Sequence, residues 1–243
     1  MKVVIIGGVA GGASAAARLR RLDEQAKIVL FERGEYISYA NCGLPYYVGG
    51  EISDKKALTL QTPESFKSRF RVDVRIRQEV IAIKAEEKRV TVKNLSSGMI
   101  YDEPYDKLIL SPGAEPSVPD LPGIDDPRIF TLRTIPDTYA IRNFIEEKKP
   151  ASAVIIGGGY IGLEMAENFV AAGLSVTIVQ RSDHLIPSLD YDMACGVHHY
   201  LRQKGVKLIF DDTPLAFRPQ GDENLEIQLK KQILTAQLVL IST

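Results

Sequence analysis

The chain of 243 residues holds two cysteines, and the first lies where sulfur can react. Cys42 stands in the stretch Ser38-Tyr39-Ala40-Asn41-Cys42-Gly43-Leu44-Pro45-Tyr46. Pro45 suits the first turn of a helix, where its missing N–H is not needed. Cys42 is therefore expected at or just before a helix N-terminus, where free N–H groups and the dipole favour a thiolate. A thiolate there is a redox nucleophile able to attack a disulfide. Free cysteine is equally often a buried, inert thiol, and the segment alone leaves both readings open. Cys195 falls in an expected helix from Asp190 to Lys204, beside His198 and His199. Cys195 and His199 share a helix face but make only two ligands, fewer than a metal site needs.

Two glycine-rich turns are the other candidates. Lys2 to Ile6 reads as a short buried strand, followed at once by Gly7-Gly8-Val9-Ala10-Gly11-Gly12 and an Ala-rich helix to about Leu22. Lys27 to Phe31 is the next strand, closed by Glu32 and Arg33. This is the βαβ layout in which a pyrophosphate rests on the helix N-terminus and the acid bonds a ribose hydroxyl. Val9 takes the place of the second glycine, so the backbone must meet the phosphates past a side chain. The second turn is complete: the strand Ala153 to Ile156 runs into Gly157-Gly158-Gly159-Tyr160-Ile161-Gly162. A helix to about Ala172 and a strand from Ser175 to Val179 follow. Two dinucleotide folds in one chain point to a flavin working with a nicotinamide. Gln180 stands where an acid would hold the 2′-hydroxyl of NAD, and Arg181 follows it. That pair removes repulsion toward a 2′-phosphate and leans to NADPH or mixed use.

The elements that must position these groups follow from pattern. A short helix is expected from Pro63 to Phe70. Val72 to Arg77, Val80 to Lys84, Arg89 to Asn94 and Met99 to Tyr101 read as short antiparallel strands, with Ser96-Ser97-Gly98 as a turn. Lys107 to Leu110 is a further strand ending in Ser111-Pro112-Gly113-Ala114. Prolines at 112, 116, 119 and 122 mark an extended linker, and the domain boundary is placed near it. Thr138 to Lys149 is expected to be helical, Val206 to Phe210 a strand, Leu225 to Leu229 the start of an antiparallel excursion, and Leu238 to Ile241 a return to the sheet.

Composition excludes several classes. A net charge of −1 with 25% charged residues offers no basic surface for nucleic acid and no polybasic membrane anchor. No apolar run approaches the ~18 residues of a membrane span. Lys2, the following apolar residues and Ala13-Ser14-Ala15 faintly imitate a secretory signal, but glycines interrupt the apolar run after Ile6. Two distant cysteines form no disulfide framework, which fits a cytoplasmic protein.

The glycine-rich start, Ser111-Pro112-Gly113-Ala114 and the second turn together resemble the pyridine nucleotide-disulfide oxidoreductase superfamily across essentially the whole chain. Within it, the Ser38 to Tyr46 stretch is similar to the single-cysteine branch of coenzyme A-disulfide reductases and persulfide reductases. Two-cysteine members such as glutathione reductase carry CxxxxC, and position 47 here is Tyr. NADH oxidases and peroxidases also use one cysteine, usually without the Leu-Pro-Tyr found here.

The resemblance implies an α/β fold of two Rossmann-like, glutathione reductase-type domains, with parallel sheets and small antiparallel excursions. Residues 1–115 would be the first part of an FAD domain, 116–150 a linker and connecting helix, and 151–243 an NAD(P) domain. It implies FAD contacts at the turn Gly7, Gly8, Val9, Ala10, Gly11 and Gly12, at Glu32 and Arg33, at Asn41, and at Ser111, Pro112 and Gly113. It implies NAD(P)H contacts at Gly157, Gly158, Gly159, Gly162, Gln180 and Arg181, with Tyr160 or Ile161 near the flavin. Ser14, Arg18, Arg21, Ser38 and Asn41 match positions that contact coenzyme A, and two arginines three apart on a helix suit its phosphates. The activity implied is NAD(P)H-dependent reduction of a small-molecule disulfide or persulfide through Cys42: coenzyme A disulfide, coenzyme A persulfide or polysulfide. An oxidase or peroxidase cycling a Cys42 sulfenic acid, and a nucleotide-binding fragment without turnover, are the alternatives. The superfamily is homodimeric and carries a second FAD segment and a dimerisation domain, both expected to be absent from this chain.

Overall fold

The computed structural model describes residues 1–243. The opening residues supply β1 (Lys2–Ile6), α1 (Ala10–Leu22) and β2 (Lys27–Phe31). A 3-10 turn at Asn41–Gly43 leads into α2 (Leu44–Gly49), and α3 (Pro63–Phe70) follows. Next come β3 (Asp73–Arg75), β4 (Gln78–Lys84), β5 (Arg89–Asn94), β6 (Ile100–Pro104) and β7 (Lys107–Leu110). Beyond the prolines lie β8 (Ile129–Phe130), α4 (Ile135–Lys148), β9 (Ser152–Ile156), α5 (Tyr160–Ala171) and β10 (Ser175–Val179). The chain closes with α6 (Tyr191–Gln203), β11 (Lys207–Ile209), β12 (Pro214–Gln220), β13 (Asn224–Leu229), β14 (Ile233–Ala236) and β15 (Leu238–Ile241). No helix is long and apolar enough to cross a membrane.

These elements pack into two compact units: Met1–Ala40 with Lys56–Ala114, and Asn41–Lys55 with Glu115–Thr243. The Cys42 segment thus belongs by its contacts to the second unit.

In the first unit a parallel sheet runs in the order β3-β2-β1-β7. Alternation along β1 assigns its two faces. Val3 and Ile5 join Ala13 and Ala16 of α1 and Phe66 of α3, whereas Val4 meets Val90 and Val92 of the antiparallel sheet β4-β5-β6. A sheet covered on both faces is why β1 and β2 read as continuous apolar runs. Buried Arg20 donates to the carbonyls of Asp23, Glu24, Ala26, Phe70 and Arg71, stapling the ends of α1 and α3 with hydrogen bonds of 2.6–3.1 Å.

The second unit repeats the plan in the order β11-β10-β9-β15-β8, all pairs parallel. α5 lays Met165, Ala166 and Phe169 against β9 and β10. On the other face, Val154, Ile156 and Val179 meet Phe217, Leu225 and Ile227 of the antiparallel sheet β12-β13-β14.

Four details depart from the sequence reading. The strand expected to be antiparallel after Val72 is β3, which pairs parallel with β2 in the register Val29 to Asp73. The helix expected from Thr138 begins at Ile135, because Thr134 and Asp137 form a reciprocal capping box with Pro136 in the first turn. The stretch read as linker contains β8, a two-residue edge strand on β15. The antiparallel excursion has three strands, and it begins with β12 rather than at Leu225.

Candidate dinucleotide turns and sulfur site

The first glycine turn is set by backbone proximity. Gly7 adopts φ +95°, and a Cβ there would lie 1.9 Å from the Ser111 carbonyl oxygen. A Cβ on Gly12 would lie 1.8 Å from the Gly7 carbonyl oxygen, so α1 reaches the sheet only with glycine at this position. The first turn of α1 has no side-chain cap and no acid, which leaves its N–H groups for an anion. Glu32 faces the turn: Oε2 accepts from Gly8 N at 2.7 Å and Oε1 from Gly34 N at 2.7 Å. Each oxygen keeps a further lone pair, so the carboxylate can also take a ribose hydroxyl. Val9 is half-buried while Ala10 and Gly11 are exposed. Arg33 is exposed, with Nη1 4.0 Å from Glu79. Pro112 and Gly113 are exposed beyond Ser111. The uncapped start of α1 and the Glu32 carboxylate are the groups that could hold the pyrophosphate and a ribose of a dinucleotide.

The second turn reproduces this frame. Gly157 adopts φ +111°, its Cβ position 2.5 Å from the Ser242 carbonyl oxygen, and a Cβ on Gly162 would lie 2.2 Å from the Gly157 carbonyl oxygen. Ser242 Oγ donates to the Gly157 carbonyl at 2.9 Å. Gly159, the N-cap of α5, has open space where a side chain would go. α5 also lacks a side-chain cap and a first-turn acid. Gln180 is buried and doubly engaged: Oε1 accepts from Gly158 N at 2.8 Å and Nε2 donates to Ser182 Oγ at 2.7 Å. Its carboxamide thus does for Gly158 what Glu32 does for Gly8, without a negative charge. The cleft above the turn has a volume of about 570 Å³ and is lined by Gly157, Gly158, Gly159, Gln180, Arg181, Pro187 and Ser242 among others. Arg181 is exposed at its edge. The uncapped start of α5 at this cleft could likewise hold a pyrophosphate.

Cys42 occupies a smaller recess in the same unit. The sulfur residue is exposed and lies in the 3-10 turn just before α2, whose first turn carries Pro45. The recess, about 160 Å³, is lined by Asn41, Cys42, Leu44, Pro45, Leu132, Arg133, Ile161 and Glu164. Ile161 and Glu164 belong to the first turns of α5, so one helix serves both the glycine turn and the sulfur recess. α2 is fixed to its neighbours: Arg142 Nη1 donates to Val48 O at 3.0 Å, and Tyr47 packs edge-on against Tyr139 at 5.6 Å. Gly49 comes so close to Asn168 that a Cβ would stand 2.2 Å from its Oδ1. Asn41 Oδ1 is buried and receives no hydrogen bond, an acceptor that a donor on a bound ligand would satisfy.

Two acid–base groups beside Cys42 escaped the sequence reading. Burial, reinforced by the charge of Glu167, pushes the Glu164 carboxyl above the ordinary carboxylate range. The Tyr46 phenol is also pushed up, first by the charge of Glu164 and then by burial. The signal for Glu164 was its place on α5, one turn after Tyr160 on the helix face that carries the recess. Ser242 had no local signal, because its role comes from a sheet neighbour far along the chain.

The residues matched to coenzyme A are distributed between the units. Ser14, Arg18 and Arg21 are exposed along α1, and Ser38 N donates to Gly8 O at 2.9 Å within the first unit. Asn41 lies beside Cys42 in the second. Tyr160 and Ile161 are both exposed at the start of α5.

Residues 1–243 match the family described as pyridine nucleotide-disulphide oxidoreductase. A coenzyme A disulfide reductase of Staphylococcus haemolyticus is 42% identical over 192 residues, which is 79% of this chain and 43% of that protein. The crystal structure of reduced Bacillus anthracis CoADR-RHD superposes with a TM-score of 0.95 at 47% identity, over 99% of this chain and 43% of that one. A NAD-dependent persulfide reductase from A. fulgidus gives a TM-score of 0.94 at 32% identity, over 100% of this chain and 46% of its own. The chain spans less than half the length of each of these relatives.

Proposed function

Because the chain belongs to the pyridine nucleotide-disulphide oxidoreductase family, we propose that it is the nucleotide-binding portion of an FAD- and NAD(P)H-dependent reductase of small-molecule disulfides or persulfides. Cys42 is its reacting sulfur and coenzyme A disulfide its first candidate substrate. One observation carries the reading: the exposed Cys42 shares its recess with Ile161 and Glu164 of α5, the helix that opens at the second glycine turn. Bound FAD supplies the two-electron relay between a nicotinamide hydride and sulfur.

The chain's residues perform the sulfur steps. Cys42 Sγ, as thiolate, bonds to one sulfur of the substrate disulfide; the S–S bond breaks and the other half leaves as a thiolate that takes a proton. Two electrons and one proton then free the second thiol and restore the Cys42 thiolate. With a persulfide, the same attack transfers the outer sulfur, which leaves as hydrosulfide on reduction. Glu164, held protonated to higher pH than an exposed carboxyl, is placed to hand a proton to the departing thiolate. Arg133 lines the recess and places a cation in the same pocket as Cys42. The uncharged Gln180 and the exposed Arg181 admit a 2′-phosphate, so NADPH is accepted along with NADH.

The test is turnover of coenzyme A disulfide and of polysulfide with each nicotinamide, by the FAD-loaded chain and its variants. Cys42→Ser is expected to abolish reduction and Cys195→Ser to leave it unchanged. Retained reduction in Cys42→Ser would sink the assignment. Consumption of peroxide or oxygen without any disulfide would move Cys42 to sulfenic acid chemistry.

A further inference from the structure

We propose that His198, on α6 and outside both glycine motifs, is a positioning residue for the nicotinamide dinucleotide: its ring accepts the Leu185 amide and so holds loop 181–187 against the Gly158 peptide. The inference rests on the reading that the second turn binds NAD(P)H.

The loop leaves β10 and returns to the cleft under a chain of hydrogen bonds. Gln180 Nε2 donates to Ser182 Oγ at 2.7 Å, and Ser182 Oγ donates to the His184 carbonyl at 3.0 Å. Ile186 N donates to Gly158 O at 2.8 Å. Leu185 N donates to His198 Nε2 at 3.1 Å, and this bond is buried. The Leu185 side chain is itself fully buried, so close under Gly158 that a Cβ there would meet its Cδ2 at 2.2 Å. The peptide that must face a pyrophosphate is therefore backed by Leu185, and Leu185 is pinned by His198. Pro187 and Arg181, at the two ends of the same loop, line the cleft.

Nε2 can accept only in a neutral ring that carries its proton on Nδ1; a second proton sets two donors against each other. His198 is 4% exposed, with Phe210 at 4.8 Å and Tyr191 at 6.4 Å between ring centroids. Burial lowers its affinity for a proton, and the positive charges of Arg202 and His184 lower it further. The groups facing it are Arg202 on its own helix, the Tyr191 phenol at the helix start, and His184 on the loop with Asp183 bound to its Nδ1. The folded ring therefore binds protons less well than a free one. The bond is intact above the ordinary histidine range and is lost as pH falls below it.

The experiment measures dissociation constants of NADH and NADPH for the full chain, its His198→Gln and its His198→Phe variants, across about pH 4.5 to 8. Wild-type affinity is expected to be level above the ordinary histidine range and to weaken progressively below it, toward the His198→Phe value. His198→Gln, whose amide oxygen accepts the same N–H without titrating, keeps the neutral-pH affinity and flattens the profile. His198→Phe leaves the Leu185 amide unpaired and binds about tenfold more weakly at every pH. A level wild-type profile, or an acid loss that persists in His198→Gln, overturns the role of His198 while leaving the dinucleotide reading standing. Wild type that binds neither nucleotide at any pH overturns that reading itself. If His198→Phe does not fold, the Gln variant still decides.

Discussion

The two glycine turns share a frame and differ at the atoms that face a ligand. In both, a serine carbonyl lies over the first glycine, Ser111 over Gly7 and Ser242 over Gly157. In both, the third glycine lets a helix approach the carbonyl of the first. The side chain at the end of the second strand accepts from the middle of the turn in each case, yet it is Glu32 in one and Gln180 in the other. Where the first turn carries Val9, the second has open space beside Gly159. Packing sterics hold the frame constant, and ligand chemistry varies the charge and the room within it.

The largest effect should come from breaking the frame. Alanine at Gly7 or Gly157 forces a side chain into a left-handed conformation and onto a carbonyl oxygen, costing about 2–4 kcal/mol. Thermal melts should show both variants destabilised, Gly7→Ala more than Gly157→Ala because its oxygen is nearer. Melts within a degree of wild type would break the comparison at its shared part.

A smaller effect separates the two ligands. Glu32→Gln turns an amide donor toward one of two backbone N–H groups and should weaken FAD binding about tenfold. Gln180→Glu puts a carboxylate beside any 2′-phosphate, so the ratio of NADPH to NADH affinity should fall about tenfold. Equal response of both nucleotides would place selectivity outside Gln180. The smallest effect is expected at Gly159→Ala, where the added methyl meets no protein atom within 4 Å. The melt should not move, while nucleotide affinity drops a few-fold.

Much of this frame is legible in the amino-acid sequence. β1, β2 and β10 begin and end where the apolar runs do, and Cys42 does precede a helix that carries Pro45 in its first turn. What failed was partnership. β3 has three residues on a sheet edge, too few for alternation to tell a parallel partner from an antiparallel one. β8 has two residues and no signal of its own. α4 starts three residues before the expected Thr138, at a capping box of Thr134 and Asp137 that lies outside the apolar periodicity. At the sites, glycines and the cysteine announce themselves by type, whereas Ser242, His198 and Glu164 take their roles from residues that the fold brings beside them.

The most direct measurement mixes the FAD-loaded chain with coenzyme A disulfide in the absence of nicotinamide and maps the adduct by peptide mass spectrometry. A single mixed disulfide at Cys42, released on adding NADPH or NADH, is the predicted result. An adduct on Cys195 alone, or none at all, would contradict the claim that Cys42 is the sulfur that meets substrate.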